Sequence, residues 1–200
     1  MNTITSPFAV LFVAIQNRLK SLQIESVQIF KTIEQDFGQL EDASRGINKP
    51  PVSWPCALID IEDATFNQVG QNSELGSVNI CIRVGFPPFS SSSSITPAPY
   101  RNSALYFYDL EQAIYEAFQG WTPGTVTVDE TTDPVTTINV GDIFGKFIRV
   151  RAVTERRLDL IRVRCLYFSL TIDDNTAIQS NIMVSPITLN LTTQFNAIEE

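Results

Sequence analysis

The stretch VNICIRV, residues 78–84, does most to decide the fold of this 200-residue chain. Strict alternation of apolar with other residues predicts a β-strand that buries one of its two faces. The sequence is therefore built around a sheet with one apolar side. The apolar set is Val78, Ile80, Ile82 and Val84, and the residues between them are Asn79, Cys81 and Arg83.

Three further segments predict strands around this one. The segment 54–62 places Ile59 and Ile61 on one face and Asp60 and Glu62 on the other. A turn-rich stretch, 63–76, leads from it into the central strand. Segments 146–154 and 161–172 are predicted to pair as a hairpin that turns near residues 156–157.

Two amphipathic helices are predicted from apolar residues at three- and four-residue steps. The first begins at Ser6 and Pro7, a favourable N-cap followed by proline at the first helical position. The second runs from Ser103 to about Gln119 and ends at Gly120. Between the central strand and this helix, residues 87–102 predict a Ser/Pro-rich loop that projects from the domain.

The order of elements is helix, strands, helix and strands, without alternation of strand and helix. This predicts the α+β class, with an antiparallel sheet of about four or five strands and helices packed on one face. Residues 121–142 predict irregular strands or a second loop. We expect a single domain over residues 1–172 and a C-terminal extension or arm over 173–200.

Composition removes several classes of function. The net charge of −8, from 14 basic and 22 acidic residues, disfavours a general nucleic-acid binder. The chain contains no histidine, which excludes Ser-His-Asp and Cys-His catalysis. The three cysteines have no metal-ligand spacing and predict reduced, buried side chains.

A search for catalytic motifs finds two weak candidates. The stretch 141–147 is one residue too short for a phosphate-binding loop and has Phe147 where a hydroxyl is needed. Asp60 and Glu62 could hold a divalent metal, as in nucleases, but the accompanying motif is missing. We therefore predict no catalytic residues, no cofactor and no resident metal, and a protein that is not an enzyme.

Half of the basic residues fall between positions 146 and 164. If the last hairpin turns at residues 156–157, Arg151 lies opposite Arg162 and Arg149 lies opposite Arg164. Like charges across a sheet are destabilising, so carboxylates must compensate them. The pattern is typical of a solvated, salt-bridged face, and it also suits a subunit interface. The candidate interface residues are Asp60, Glu62, Arg149, Arg151, Arg162 and Arg164.

The chain resembles the tail terminator and related head–tail joining proteins of tailed bacteriophages. The resemblance is carried by the first helix ending near NRL at 17–19, the loop DFGQL at 36–40, the strand WPCALIDI at 54–61, the strand LGSVNICIRV at 75–84, the long helix and the final hairpin. The resemblance covers roughly residues 6–172. It lies in the order and character of the elements, and not in a specific sequence motif. The loop 87–102 and the tail 173–200 depart from the family's plan.

The resemblance implies a structural virion protein that forms a ring, with six copies expected. Such a ring caps the tail tube, meets the head-completion or connector protein and lets genome DNA pass through without specific binding. It implies assembly in the host cytoplasm, a place in the tail or neck of the virion, and no membrane partner. Another tail, neck or baseplate subunit is the alternative, followed by a soluble adaptor and a metal-dependent nuclease.

Overall fold

The computed structural model describes residues 6–41, 51–70, 72–86, 91–129, 136–157 and 161–174. Within them the chain forms two long helices and nine strands. In chain order these are α1 Pro7–Lys20, β1 Gln23–Ile24, β2 Val27–Gln28, β3 Thr32–Gln35, β4 Cys56–Gly70, β5 Ser73–Phe86, α2 Ala98–Phe118, β6 Thr125–Asp129, β7 Thr136–Asn139, β8 Ile148–Glu155 and β9 Arg162–Asp174.

Five strands form the main sheet in the order β3-β4-β5-β9-β8. The strand number agrees with the expected four or five. The expected antiparallel arrangement holds for β4, β5, β9 and β8, but it is wrong at one edge, where β3 runs parallel to β4. Residues 36–55 connect these two strands, which is long enough for the crossover that a parallel pair requires.

The main core is one cluster that joins the helices to alternate residues of the sheet. Leu11 and Ile15 of α1, Ile114 of α2, and Ile80 and Phe168 of the sheet are all buried in it. A side chain of this size stabilises the fold by about 1.5–3 kcal/mol when it is buried.

A second, smaller cluster lies on other residues of the same strands. The three cysteines belong to it, together with Leu40, Leu58 and Val163. They are buried and free, as the sequence predicts. The sheet therefore buries apolar side chains from both alternating sets of residues, and not only from the set that packs with the helices.

The β4–β5 hairpin is much longer than expected. Residues 63–70 and 73–76, predicted as turn, continue the two strands, and the last pair of the hairpin is Gly70 with Ser73. Asn72 has a φ of 70°, which suits a tight turn. Gly76 lies inside β5. The position requires glycine, because a Cβ here would meet the carbonyl oxygen of Thr65. Glycine marks a close backbone approach here rather than a turn.

Helix α2 begins at Ala98, five residues before the predicted Ser103. Pro99 sits in its first turn, where a missing backbone N–H has no helical acceptor to lose. Residues 98–102 of the predicted loop 87–102 are therefore helical, while 87–90 lie outside the described residues. In the predicted extension 173–200, residues 173–174 end β9, and 175–200 also lie outside them.

Residues 121–142 contain the short hairpin of β6 and β7, which is the strand alternative of the prediction. This hairpin lies against α1, where the Asn17 side chain donates to the carbonyl oxygen of Thr127 at 3.1 Å. Arg18 donates to the carbonyl oxygen of Ala117 in α2 at 2.9 Å, so the two helices are also joined directly.

Candidate subunit interface

The predicted pairing of arginines across the last hairpin is wrong. Arg164 lies opposite Thr154, and Arg149 lies opposite Phe168. Two features move the register. Glu155, at the end of β8, pairs with Val163 near the start of β9, which moves the pairing away from a turn at 156–157, and β8 contains a register shift between Arg149 and Arg151.

The register shift also separates the two arginines of β8. An extra residue in one strand interrupts the alternation of side chains between the two faces. Arg149 stacks on Tyr115 of α2, with 3.9 Å from its guanidinium carbon to the ring centroid, and Arg151 stacks on Tyr167 of β9 at 4.0 Å. Tyr167 packs on the cysteine cluster, away from α2. The four arginines therefore do not crowd one face.

Arg164 forms a bidentate ion pair with Glu111 of α2. Its Nε and Nη2 donate to the two carboxylate oxygens of Glu111 at 2.8 and 2.9 Å, and its Nη1 donates to the Thr154 hydroxyl at 2.9 Å. The side chains of Arg164 and Glu111 are 21% and 15% exposed. Such bidentate, charge-assisted contacts are among the stronger hydrogen bonds of a protein.

Arg162 packs on the same helix through aromatic rings. Its guanidinium carbon lies 3.6 Å from the centroid of Phe107 and 5.5 Å from that of Tyr108. Cation–π contacts contribute about 0.5–1 kcal/mol at exposed sites and more when they are desolvated. Arg162 and Arg164 thus fasten α2 to β9 within one chain.

Asp60 and Glu62 lie on β4, two strands away from β9. Burial and the charge of Asp36 raise the pKa of Asp60, while Arg83 lowers it. Burial and the charges of Asp60 and Asp63 raise the pKa of Glu62, and the charge of Arg151 lowers it. Asp60, Glu62 and Asp63 therefore lie close enough on β4 to affect one another, and Arg83 and Arg151 of the same chain lie close enough to offset part of their repulsion.

The strongest charge cluster in the described residues centres on Arg83, which the sequence analysis did not single out. Its Nη1 donates to Asp36 at 2.7 Å, and its Nε and Nη2 donate to the two oxygens of Glu155 at 2.9 and 3.0 Å. Glu41 lies 3.3 Å from Nη1, and the Cys165 thiol donates to Glu155 at 3.0 Å. The cluster ties β5 to the end of β8 and to the loop after β3.

The first half of α2 is exposed near these arginines. The buried residues of α2 begin only at Leu110. Before it, Arg101, Leu105 and Tyr108 follow at steps of four and three and share one face. Leu105 and Tyr108 are 37% and 54% exposed. We call these three residues the α2 patch.

An open apolar groove of about 640 Å³ lies between α1 and β4. We call it the α1–β4 groove. No sequence pattern predicts it, because both of its sides are ordinary amphipathic elements. Its apolar lining is Phe8, Ala9, Phe12, Val13, Ile59, Ile61 and Ala64, and its polar lining is Gln35, Glu62 and Asp63.

The outer strand β8 carries a third exposed apolar set. Ile148, Val150 and Val153 are exposed on this strand, which forms one edge of the main sheet. Edge strands offer unpaired backbone groups to other chains, and the register shift and arginines of β8 limit simple strand addition. Exposed apolar surface on several elements is typical of an assembling subunit.

The described residues hold no group of three or more side chains that could bind a metal ion. None of the helices in the described segments has the length and apolar character to cross a membrane.

No protein-family model and no curated protein matches the chain. Among solved structures it is similar to a chain described as "Virion of native gene transfer agent (GTA) particle". The TM-score is 0.46 with 10% sequence identity, and the alignment covers 86% of this chain and 100% of that chain.

Proposed function

We propose that the protein is a structural subunit of a tailed virion, and specifically a tail terminator that forms a ring on the tail tube. The ring, expected to contain six copies, stops tube growth and offers its other side to the head-completion or connector protein. The protein acts in the tail or neck of the virion after assembly in the host cytoplasm, and it is not an enzyme.

The observation that carries the proposal is the layout of the domain. Helix α1, the long β4–β5 hairpin, helix α2 and the β8–β9 hairpin follow in this order, and all four strands belong to one sheet. This is the layout on which the sequence resemblance to tail terminators rests. The exposed apolar surfaces on α2, β8 and the α1–β4 groove supply the contacts that a ring subunit needs.

The charge of the chain fits a ring around DNA. A net charge of −8 repels phosphates, so a genome can slide through the opening without being held. The tube and the connector are then bound on the two rims of the ring, and the membrane has no part in the assembly.

The six charged interface candidates contribute unequally to this proposal. We propose that Arg151 contributes to the interface through its exposed side chain, although it also stacks on Tyr167 and its charge reaches Glu62 in its own chain. Asp60 and Glu62 are proposed as interface carboxylates that meet a basic group of a neighbouring copy. Arg149, Arg162 and Arg164 already contact α2 in their own chain. We propose that they support the interface by holding α2 in place.

Negative-stain electron microscopy and light scattering of the purified protein test the proposal. We expect closed rings of uniform size from the wild type and loss of rings in Arg151→Glu. Lys146→Glu, the same charge reversal at an exposed residue just before β8, is the matched control and should keep the rings. A protein that stays monomeric at every concentration contradicts the proposal.

Open stacks instead of closed rings favour the alternative of a tube, neck or baseplate subunit. The nuclease alternative is tested by incubating the protein with Mg²⁺ and DNA. Cleavage that disappears in Asp60→Asn contradicts the proposal that the protein is not an enzyme.

A further inference from the structure

The first half of α2 exposes apolar surface that the described residues of its own chain leave uncovered. Helix α2 has 21 residues and is about 31 Å long. Its buried positions all lie in the second half, and Phe107 is the residue of the first half that packs on the main core. The exposed α2 patch therefore faces away from the core that holds the helix.

The α1–β4 groove has the opposite shape and the same apolar character. Phe8, Phe12 and Ile61 are half-buried residues on its walls. A register shift between Ile61 and Asp63 lets Ile61 and Ala64 both face α1 despite their spacing of three. Pockets of this volume, with mostly apolar walls and a few polar groups, are typical of binding sites.

The patch and the groove cannot meet within one chain. Helix α1 packs on β3 and β4, and α2 packs on β8, which are opposite edges of the main sheet. The α2 patch and the α1–β4 groove also lie at different positions along the length of the strands. Phe107 contacts Phe86 at one end of β5, whereas Ala64 pairs with Val78, eight residues away and about 27 Å along a strand.

The charges of the two surfaces are complementary. Arg101 lies one helical turn before Leu105, and the described residues contain no acidic partner within ion-pair distance of it. Glu62 and Asp63 line the groove. A cation placed there relieves the mutual repulsion of these carboxylates, in addition to the burial of Leu105 and Tyr108.

We propose that the α2 patch of one protomer docks into the α1–β4 groove of a second copy of this chain. The contact joins two different surfaces at opposite edges of the subunit, which is the heterologous type from which rings close and filaments grow. The proposal rests on the proposed function for ring closure and deepens it by naming the subunit contact.

Disulfide trapping between two variants of the full-length chain tests the contact. Ala9→Cys places a thiol in the groove, and Leu105→Cys places one on the patch. The native cysteines are buried and free, so they do not compete under mild oxidation. We expect a covalent dimer when the two variants are mixed and none from either variant alone. Ile95→Cys, at a side chain that is 91% exposed, replaces Leu105→Cys as the matched control and should give no dimer with Ala9→Cys.

The outcomes separate this inference from the proposed function. Trapped dimers from a protein that makes closed rings support both, and trapped dimers from open stacks support the contact but contradict the ring. Rings without trapping, or equal trapping with Ile95→Cys, overturn the contact and leave the ring proposal standing. Trapping of Ala9→Cys by Leu189→Cys within a single chain also overturns it, because the groove then holds the chain's own C-terminal segment.

A charge exchange tests the role of Arg101 at this contact. Arg101→Glu should shift the assembly to monomers, and adding Glu62→Arg in the same chain should restore it. Far-ultraviolet circular dichroism and the unfolding midpoint are measured on each variant. Unchanged assembly in Arg101→Glu, or failure of Glu62→Arg to restore it while both variants stay folded, contradicts the proposal.

Discussion

Replacing Arg83 with methionine should destabilise the folded chain more than any other single change at a charged residue discussed above. Methionine keeps an unbranched apolar stem but removes the guanidinium group. Asp36 loses its 2.7 Å partner, and Glu155 loses two hydrogen bonds of 2.9 and 3.0 Å. The side chains of Arg83 and Asp36 are 12% and 8% exposed, so water can hydrate the unpaired Asp36 carboxylate only poorly.

The expected loss follows from that burial. Removing one partner of a buried ion pair costs about 3–5 kcal/mol, because a buried charge is left uncompensated. Glu155 and Glu41 are 28% and 40% exposed and can be rehydrated, so we expect about 3 kcal/mol, at the lower end of the range. Burial alone would lower the pKa of Arg83, but the hydrogen bond and charge of Asp36 and the charge of Glu155 raise it, which agrees with a net favourable site.

Urea unfolding at a fixed protein concentration measures this loss from the midpoint and the slope. Arg156→Met makes the same chemical change at an exposed side chain just after β8 and should stay within about 0.5 kcal/mol of the wild type. The double variant Arg83→Met with Asp36→Asn should lose less than the sum of the two single changes. A loss below about 1 kcal/mol for Arg83→Met, the value of an exposed pair, or strict additivity in the double variant, refutes the reasoning.

Three further predictions concern stability and reactivity. Arg164→Met should lower the free energy of unfolding by about 1.5–3 kcal/mol in urea melts, since it leaves Glu111 without its bidentate donor. Folding raises the pKa of Glu62, so this group favours the fold below its ordinary value of 4.5 and loses that contribution as the pH rises through the raised pKa. In protein diluted until it is monomeric, Glu62→Gln should therefore raise the thermal midpoint at pH 7, with a difference that shrinks toward pH 4. Burial raises the pKa of Cys56 to about 11, so iodoacetamide at pH 8 should label it slowly in the native protein and rapidly in urea.

Local periodicity predicts the elements that form the main core. Ile80 and Ile82 are fully buried as their alternation predicts, and so are Leu110 and Ile114 on the predicted face of α2. These signals are reliable because they depend on neighbours in the sequence and on the geometry of one element.

The register of β8 and β9 could not be predicted in this way. Alternation places Arg149 and Arg151 on one face, but it does not reveal the extra residue between them that interrupts the pattern. Whether residues 156–161 form a tight turn or a longer connection is also invisible to periodicity. The extra residue moves the side chains that follow it to the other face, so Arg151 leaves the side of the sheet on which Arg149, Arg162 and Arg164 contact α2.

The Arg83 cluster shows a second limit. Its partners Asp36 and Glu155 are 47 and 72 residues away in sequence, and nothing in the alternation of β5 indicates them. A charged residue in the middle of a strongly apolar strand is the signal that was available. Lysine and arginine are seldom buried without a partner, so such a position predicts carboxylates brought in by other elements.

The arginines of β9, which the sequence predicts as interface residues, make contacts within their own chain, whereas exposed apolar residues are left to contact other copies. Arg162 and Arg164 hold α2 against the sheet, so an assembly defect in Arg164→Glu would report loss of α2 placement as much as loss of a subunit contact. Leu105 and Ala9 are not engaged in this way, because one is exposed and the other lines an open groove. If rings depend on the α2 patch, Leu105→Glu should abolish them without lowering the unfolding midpoint of the dissociated monomer, whereas Arg164→Glu should lower that midpoint. The monomer's midpoint therefore distinguishes a side chain that makes the contact from one that positions it.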